Sequence, residues 1–221
     1  MTHDERMRRF EAADLYLVIT EAYCDGRRAL DVLDAALDAG VRLVQFREKD
    51  RTDRELYLRA LAFRAHTREA DALLIVDDHV DVALAVGADG VHLGQNDLPV
   101  AAAREIDPDL IIGASTHNLA EAMAAQEAGA SYVNIGPIFG TQTKEGMQPV
   151  GPGLIDIVRP QLRIPFTTMG GIKEHNVGEV LDRGARHIAV VTAVTEAQDV
   201  AKAVARLRGV IENHPGPPGA G

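Results

Sequence analysis

The sequence predicts an α/β fold, a (β/α)8 barrel in a single domain. First, short apolar, β-branched runs recur about eight times, each brief and with little alternation. Strands of a parallel sheet, buried on both faces, look like this. Second, Ala-rich stretches of helical spacing lie between them. A helix–Gly–Ala–strand join returns at Gly87-Ala88, Gly129-Ala130 and Gly184-Ala185, so one βα unit repeats. Third, polar and charged residues collect just after several different strands, as on the C-terminal face of a barrel. An open doubly wound sheet also alternates β and α. It would place a glycine-rich fingerprint after the first strand, where LYLVITEAYCDG stands instead.

The strand runs, in order, are LYLVIT from Leu15, VRLVQF from Val41, LLIV from Leu73 and GVHL from Gly90. LIIG from Leu110, YVNI from Tyr132, FTTM from Phe166 and HIAVV from His187 follow. Among the helices, RALDVLDAALDAG ends on Gly40, a C-terminal cap signal. Thr52 to Glu55 has the capping-box pattern and opens ELYLRALAFRAHTREA. AEAMAAQEAGA ends on Gly129, and EVLDRGA breaks at Gly184. The barrel is expected over residues 1–212. The Pro/Gly-rich stretch 213–221 is expected to be a disordered tail.

A chain of 221 residues with 46% hydrophobic composition can build such a core without staples. Its single cysteine, Cys24, forms no internal disulfide. That fits a reducing cytoplasm and excludes a Cys-rich zinc site. A net charge of −10 argues against nucleic acid as a partner. It leaves room for a small anion, because a local cation or metal reverses the field in one pocket. The first residues, MTHDERMRRFEAAD, are too charged for a signal peptide and too acidic for a transit peptide. No apolar run approaches the length of a membrane span. Oligomeric state is open, and a homo-oligomer is compatible with all of this.

In a barrel, residues at the strand ends share one rim. After the second strand, QFREKD brings Gln45, Phe46, Arg47, Glu48, Lys49 and Asp50. Alternation aims Gln45, Arg47 and Lys49 the same way, and two cations with an amide suit a diphosphate. A solvated strand end with a local ion pair is the plainer reading. Asp77-Asp78-His79 follows the third strand and Asp97 the fourth. Carboxylates on neighbouring rim loops can share Mg²⁺ with phosphate oxygens and water, although both Asp78 and Asp97 also fit helix capping.

After the fifth strand, Ser115 could bond a ligand, with Thr116 or Asn118 capping the next helix and His117 an ordinary loop histidine. The sixth is followed by GPIFGTQTKEG, with small donors, Thr141 and Thr143, and the cation Lys144. Such a loop is either a flexible linker or a phosphate cradle. Met169-Gly170-Gly171 and Val191-Thr192 close the rim, where barrels often hold a phosphate on glycine N–H groups. A tight turn would use the same glycines. Two anion sites on one rim are therefore expected: one basic and metal-assisted, the other built from Thr, Gly and backbone.

QFREK, DDHVDVALAVGADGVHLGQNDLP, IIGASTH, NIGPIFGTQTK, GGI and VVTAV, in this order and spacing, closely resemble the thiamine-phosphate synthase family. The resemblance runs from about the first strand to the last helix. It implies a (β/α)8 barrel that joins hydroxymethylpyrimidine diphosphate to hydroxyethylthiazole phosphate, releasing pyrophosphate. It also implies that Gln45, Phe46, Arg47, Glu48 and Lys49, with Asp77, Ser115 and Lys144, hold the pyrimidine diphosphate. Arg47, Lys49, Ser115 and Lys144 would assist the departure of pyrophosphate. Asp78 and Asp97 would ligate Mg²⁺, and Thr141, Gln142, Thr143, Gly171, Val191 and Thr192 would hold the thiazole phosphate.

Departures from the family pattern are Asp77 where Asn is usual, Thr192 where Ser is usual, and Gly140 and Gln142 where prolines are common. The stretch 145–153 has no assigned role. A thiazole tautomerase shares the barrel and the thiazole phosphate site but needs no metal-held diphosphate. A non-catalytic barrel binding a phosphorylated ligand is the rival of another class.

Overall fold

Strands that are apolar on both faces must be covered on both, and closing the sheet into a barrel inside a ring of helices does this. The computed structural model of the chain describes residues 1–143 and 147–217. The strands are β1 (Leu15–Ile19), β2 (Leu43–Phe46), β3 (Leu73–Asp77), β4 (Gly90–Leu93), β5 (Ile111–Thr116), β6 (Tyr132–Ile135), β7 (Phe166–Thr168) and β8 (His187–Val190). Neighbours in sequence pair in parallel, and β8 returns to β1 through Leu15↔Ile188, Tyr16↔Ala189 and Leu17↔Val190. That last pairing closes the barrel and excludes the open sheet.

The helices are α1 (His3–Glu11), α2 (Ala29–Asp38), α3 (Asp53–Glu69), α4 (Val80–Val86) and α5 (Val100–Ile106). They continue with α6 (Leu119–Glu127), α7 (Gly153–Val158), α8 (Val177–Leu181), α9 (Thr192–Thr195) and α10 (Val200–Asn213). Thr52 and Glu55 form the expected capping box: the Thr52 hydroxyl accepts the Glu55 N–H at 3.3 Å and the Glu55 carboxylate takes the Thr52 N–H at 3.0 Å. α10 continues through Asn213, the first residue of the expected tail. Residues 218–221 lie outside the described residues.

Alternation along each strand sorts the side chains into two cores. Leu17, Val44, Phe46, Leu74, Val76, Ile112 and Ile188 face outward and pack with the helices. Tyr16, Leu43, Leu73, Ile75, Ile111, Tyr132 and Ala189 form a separate core inside the barrel. Phe10 joins this inner core from α1, fully buried, with its ring stacked on Tyr132 at 4.6 Å. α1 therefore covers the end of the barrel opposite the rim. Its own capping box, Thr2 with Glu5, is a local signal within the charged first residues. Gly113 is required on β5, because a Cβ there would lie 2.1 Å from the Tyr132 ring.

The described part of the unassigned stretch 145–153 folds back on the loop after β6. Val150 N–H donates to the Pro137 carbonyl at 2.8 Å and Gly151 N–H to Ile138 at 3.1 Å. Among the described residues, no helix is long and apolar enough to cross a membrane.

Candidate active site

The inward alternation of β2 continues past its last residue, and it carries Gln45, Arg47 and Lys49 to the mouth of the barrel. Arg47 Nε lies 3.3 Å from Asp77 Oδ2, and Lys49 Nζ lies 3.1 Å from the same oxygen. Lys49 also donates to the Asp78 carboxylate. The residues between them face the other way. Phe46 packs in the outer core at 4.9 Å from Phe63. Buried Glu48 accepts the Glu21 N–H at 2.8 Å and so ties down the loop after β1. The fold does not bring the Phe46 and Glu48 side chains to the cationic cluster.

Neither metal candidate caps a helix. α4 is preceded by His79 and α5 by Pro99, and neither start has a side-chain cap. Asp78 instead holds a left-handed backbone, φ 62°, a conformation that costs a non-glycine residue energy and clusters at functional sites. Asp97 turns back to accept the Gly94 N–H at 2.6 Å and lies beside Asp78. Burial pushes the Asp77 carboxyl up to about 6, helped by the charge of Asp78 and opposed by Lys49 and Arg47. Burial also acts upward on Asp78, but the bond and charge of Lys49 outweigh it and hold that carboxyl below its usual range. Burial raises Asp97, against the Gly94 bond, and the Asp78 charge raises it further.

Three carboxylates thus face the two described cations, Arg47 and Lys49. Among the described residues no three metal-ligating side chains converge to hold an ion alone. The donor set fits a hard cation that takes one or two carboxylates and completes its shell with phosphate oxygens and water. Asp78 and Asp97, which cap no helix, are the two carboxylates on offer.

Ser115 stands on β5 within the rim, its Oγ 2.9 Å from His92 Nε2. Asn118 caps α6 by accepting the Glu121 N–H at 2.9 Å, and His117 pairs with Glu121 at 2.7 Å. Thr116 instead donates to the Asn134 carbonyl at 3.0 Å.

Across the mouth, Thr141, Thr143, Gly171, Val191 and Thr192 line one small cleft with Met169, Gly170, Ile172, Ala189 and Val190. The hydroxyls of Thr141 and Thr143 are 2.9 Å apart. Gly171 has φ 62°, and a Cβ on it would sit 2.4 Å from the Gly140 carbonyl oxygen. Gln142 is exposed and offers its backbone carbonyl to the Tyr23 hydroxyl at 3.4 Å. Lys144 lies outside the described residues.

The family model described as "Thiamine monophosphate synthase" matches residues 15–194. The chain belongs to the thiamine monophosphate synthase family. It is 46% identical over 201 residues to the thiamine-phosphate synthase of Pelotomaculum thermopropionicum, covering 90% of this chain and 92% of that one. It is 40% identical over 216 residues to that of Dictyoglomus thermophilum, covering 97% of each. A solved thiamine phosphate pyrophosphorylase from Pyrococcus furiosus superposes with a TM-score of 0.84 at 40% identity, over 92% of this chain and 98% of that one. As a member of this family the chain is an enzyme, a transferase of thiamine biosynthesis.

Two features of this family member escaped sequence reasoning. His92 was read only as part of a strand run, yet alternation from Gly90 turns it into the barrel. Lys173, just past the glycine pair, donates to the Thr192 hydroxyl at 2.6 Å. An ammonium has only donors, so Thr192 keeps its own proton for whatever occupies the cleft. A lysine at the end of the last barrel units was the available signal.

Proposed function

We propose that the chain condenses hydroxymethylpyrimidine diphosphate with hydroxyethylthiazole phosphate to give thiamine phosphate and pyrophosphate. The observation that carries this reading is the cluster of Arg47, Lys49, Asp77, Asp78 and Asp97 facing a hydroxyl- and glycine-lined cleft on the same rim. A cluster whose carboxylates outnumber its described cations repels a diphosphate until a divalent ion joins it, and then attracts one. Mg²⁺ held by Asp78 and Asp97 would supply that charge neutralisation as pyrophosphate leaves.

The chain's own residues supply placement and electrostatics. Arg47 and Lys49 hold the diphosphate oxygens. Lys144, whose part rests on the family resemblance, adds a third cation. Ser115 donates its hydroxyl. The methylene–oxygen bond breaks with its electron pair going to pyrophosphate, and the thiazole nitrogen then bonds the methylene carbon. No protein nucleophile enters this step, in keeping with a Cys24 thiol that burial pushes up to about 11.

Thr141, Thr143, the Gly171 backbone and Thr192 hold the second phosphate. The Thr141 and Thr143 hydroxyls, which bond each other at 2.9 Å, would turn to that phosphate as it enters. The test is turnover with both substrates, with Mg²⁺ and with EDTA, following both products. Metal-dependent release of thiamine phosphate and pyrophosphate in equal amounts supports the reading. Isomerised thiazole phosphate without pyrophosphate would sink it in favour of a tautomerase, and binding without any product in favour of a sensor.

A further inference from the structure

Five side chains from five strands form one hydrogen-bonded line through the inside of the barrel. Gln45 Nε2 is 2.7 Å from the Tyr16 hydroxyl. Tyr16 and Tyr132 hydroxyls are 2.9 Å apart. Tyr132 is 2.9 Å from His92 Nδ1, and His92 Nε2 is 2.9 Å from Ser115 Oγ. The first four residues are buried, none more than 5% exposed. Ser115 is the one member of the line that is partly exposed at the rim.

The direction of this line follows from which atoms carry protons. An amide nitrogen only donates, so Tyr16 accepts from Gln45. Each phenol has one proton. Burial pushes both hydroxyls above their ordinary range, so both keep it. Were Tyr132 to donate to Tyr16, neither of these two partners could take the Tyr16 proton, and a buried unmet donor is costly. Tyr16 therefore donates to Tyr132, and Tyr132 to His92 Nδ1. A ring nitrogen that accepts is bare, so a neutral His92 carries its proton on Nε2. That proton goes to Ser115 Oγ.

We propose that His92 is a positioning residue: held by Gln45, Tyr16 and Tyr132 as the Nε2–H tautomer, it fills the acceptor side of the Ser115 hydroxyl and leaves the serine proton to donate toward the rim. There the donor meets an oxygen of the departing diphosphate as its charge grows. This last point rests on the role of Ser115 proposed above. The line moves no proton; it fixes which way one hydroxyl points. A donor already oriented loses no time or free energy in turning when charge develops.

Nitrogen-15 spectroscopy of His-labelled protein reads the tautomer directly, with the His92 signals assigned by their loss in His92→Asn. The expected result is a bare Nδ1 and a protonated Nε2 in the native chain. Tyr132→Phe removes the donor to Nδ1. It is expected to mix the tautomers and to lower kcat about tenfold while KM for both substrates stays within about twofold, the pattern of a contact made in the transition state. In a Ser115→Ala background the same substitution should change kcat by less than about twofold, because the donor it orients is already gone.

A protonated Nδ1 in the native chain would overturn the proposal. So would full additivity of Tyr132→Phe with Ser115→Ala, since a merely structural role gives that result. The native spectrum needs only the His92→Asn assignment, so it decides the matter even if Tyr132→Phe does not fold. If Ser115→Ala turns over at the native rate, the catalytic role of Ser115 fails, and the tautomer and its loss in Tyr132→Phe still decide the positioning claim.

Discussion

Asp77 shows how one carboxylate changes the arithmetic of a site. It is almost fully buried, it engages both Arg47 and Lys49, and its own charge is disfavoured by burial and by Asp78. Asp77→Asn removes that competition and leaves two carboxylates facing the two described cations. The expected outcome is a KM for the pyrimidine diphosphate lower by roughly fivefold, about 1 kcal/mol of released cation binding. A higher KM in steady-state assays would mean that Asp77 serves to hold Arg47 and Lys49 in place. Asp97 is expected to act on the chemical step instead. Asp97→Asn keeps an acceptor for the Gly94 N–H but loses the charge. Its kcat should fall on the order of 100-fold with the melting temperature nearly unchanged. Native turnover at saturating Mg²⁺ would remove Asp97 from the metal site.

At the scale of the element, α1 is the part with most to teach. Phe10 is its one buried side chain, and it fills the barrel end from below against Tyr16 and Tyr132. Phe10→Ala opens a cavity in the inner core that flanking strands cannot collapse to fill. A loss of about 3–5 kcal/mol is expected, read as a lower urea midpoint with unchanged slope. A loss under about 1 kcal/mol would show that α1 rests on the barrel without completing it. The loops after β6 and β7 depend on each other in a different way, through the backbone. The Ile138 N–H donates to the Met169 carbonyl at 2.8 Å and the Phe139 N–H to Gly170 at 2.9 Å. Glycines are needed there because the two loops approach to contact distance.

The stability of the whole molecule should depend on pH through a histidine at the closure of the barrel. His187 opens β8, bonds the Ala13 carbonyl at 2.6 Å and packs 5.3 Å from Phe10. Burial holds its ring below the ordinary 6.5, against the pull of Ala13. As pH falls below that value the unfolded chain takes up a proton and the folded chain does not. Stability is therefore full above about pH 6.5 and falls as pH drops below it. The urea midpoint at pH 5.5 should lie below that at pH 7.5, and the difference should shrink in His187→Gln, which keeps a donor for Ala13. The comparison with that variant isolates the ring from Asp77, whose raised carboxyl acts in the opposite sense. An equal fall in both proteins would show that His187 does not carry the effect.

The β strands were legible along the chain because each buried run is apolar, β-branched and bounded by glycine or a helix start, and these are local signals. The rim residues from Gln45 to Thr192 were legible because a repeated βα unit puts every strand end on one circle. α1 is marked by a local capping box too, but its charged sequence carries only one buried side chain, Phe10, so no apolar periodicity points to it. Tertiary structure alone decided which of those rim residues meet. Asp78 and Asp97 carry the same local signal whether they cap a helix or face a ligand, and only the fold, which sets His79 and Pro99 at the helix starts and returns Asp97 to Gly94, distinguishes the two. Phe46 and Glu48 sit between Gln45, Arg47 and Lys49 in sequence but face away from them, because a strand has two sides. The line from Gln45 to Ser115 joins residues up to 116 positions apart, from Tyr16 to Tyr132. No spacing along the chain encodes such a contact, since it exists only once β8 has closed on β1.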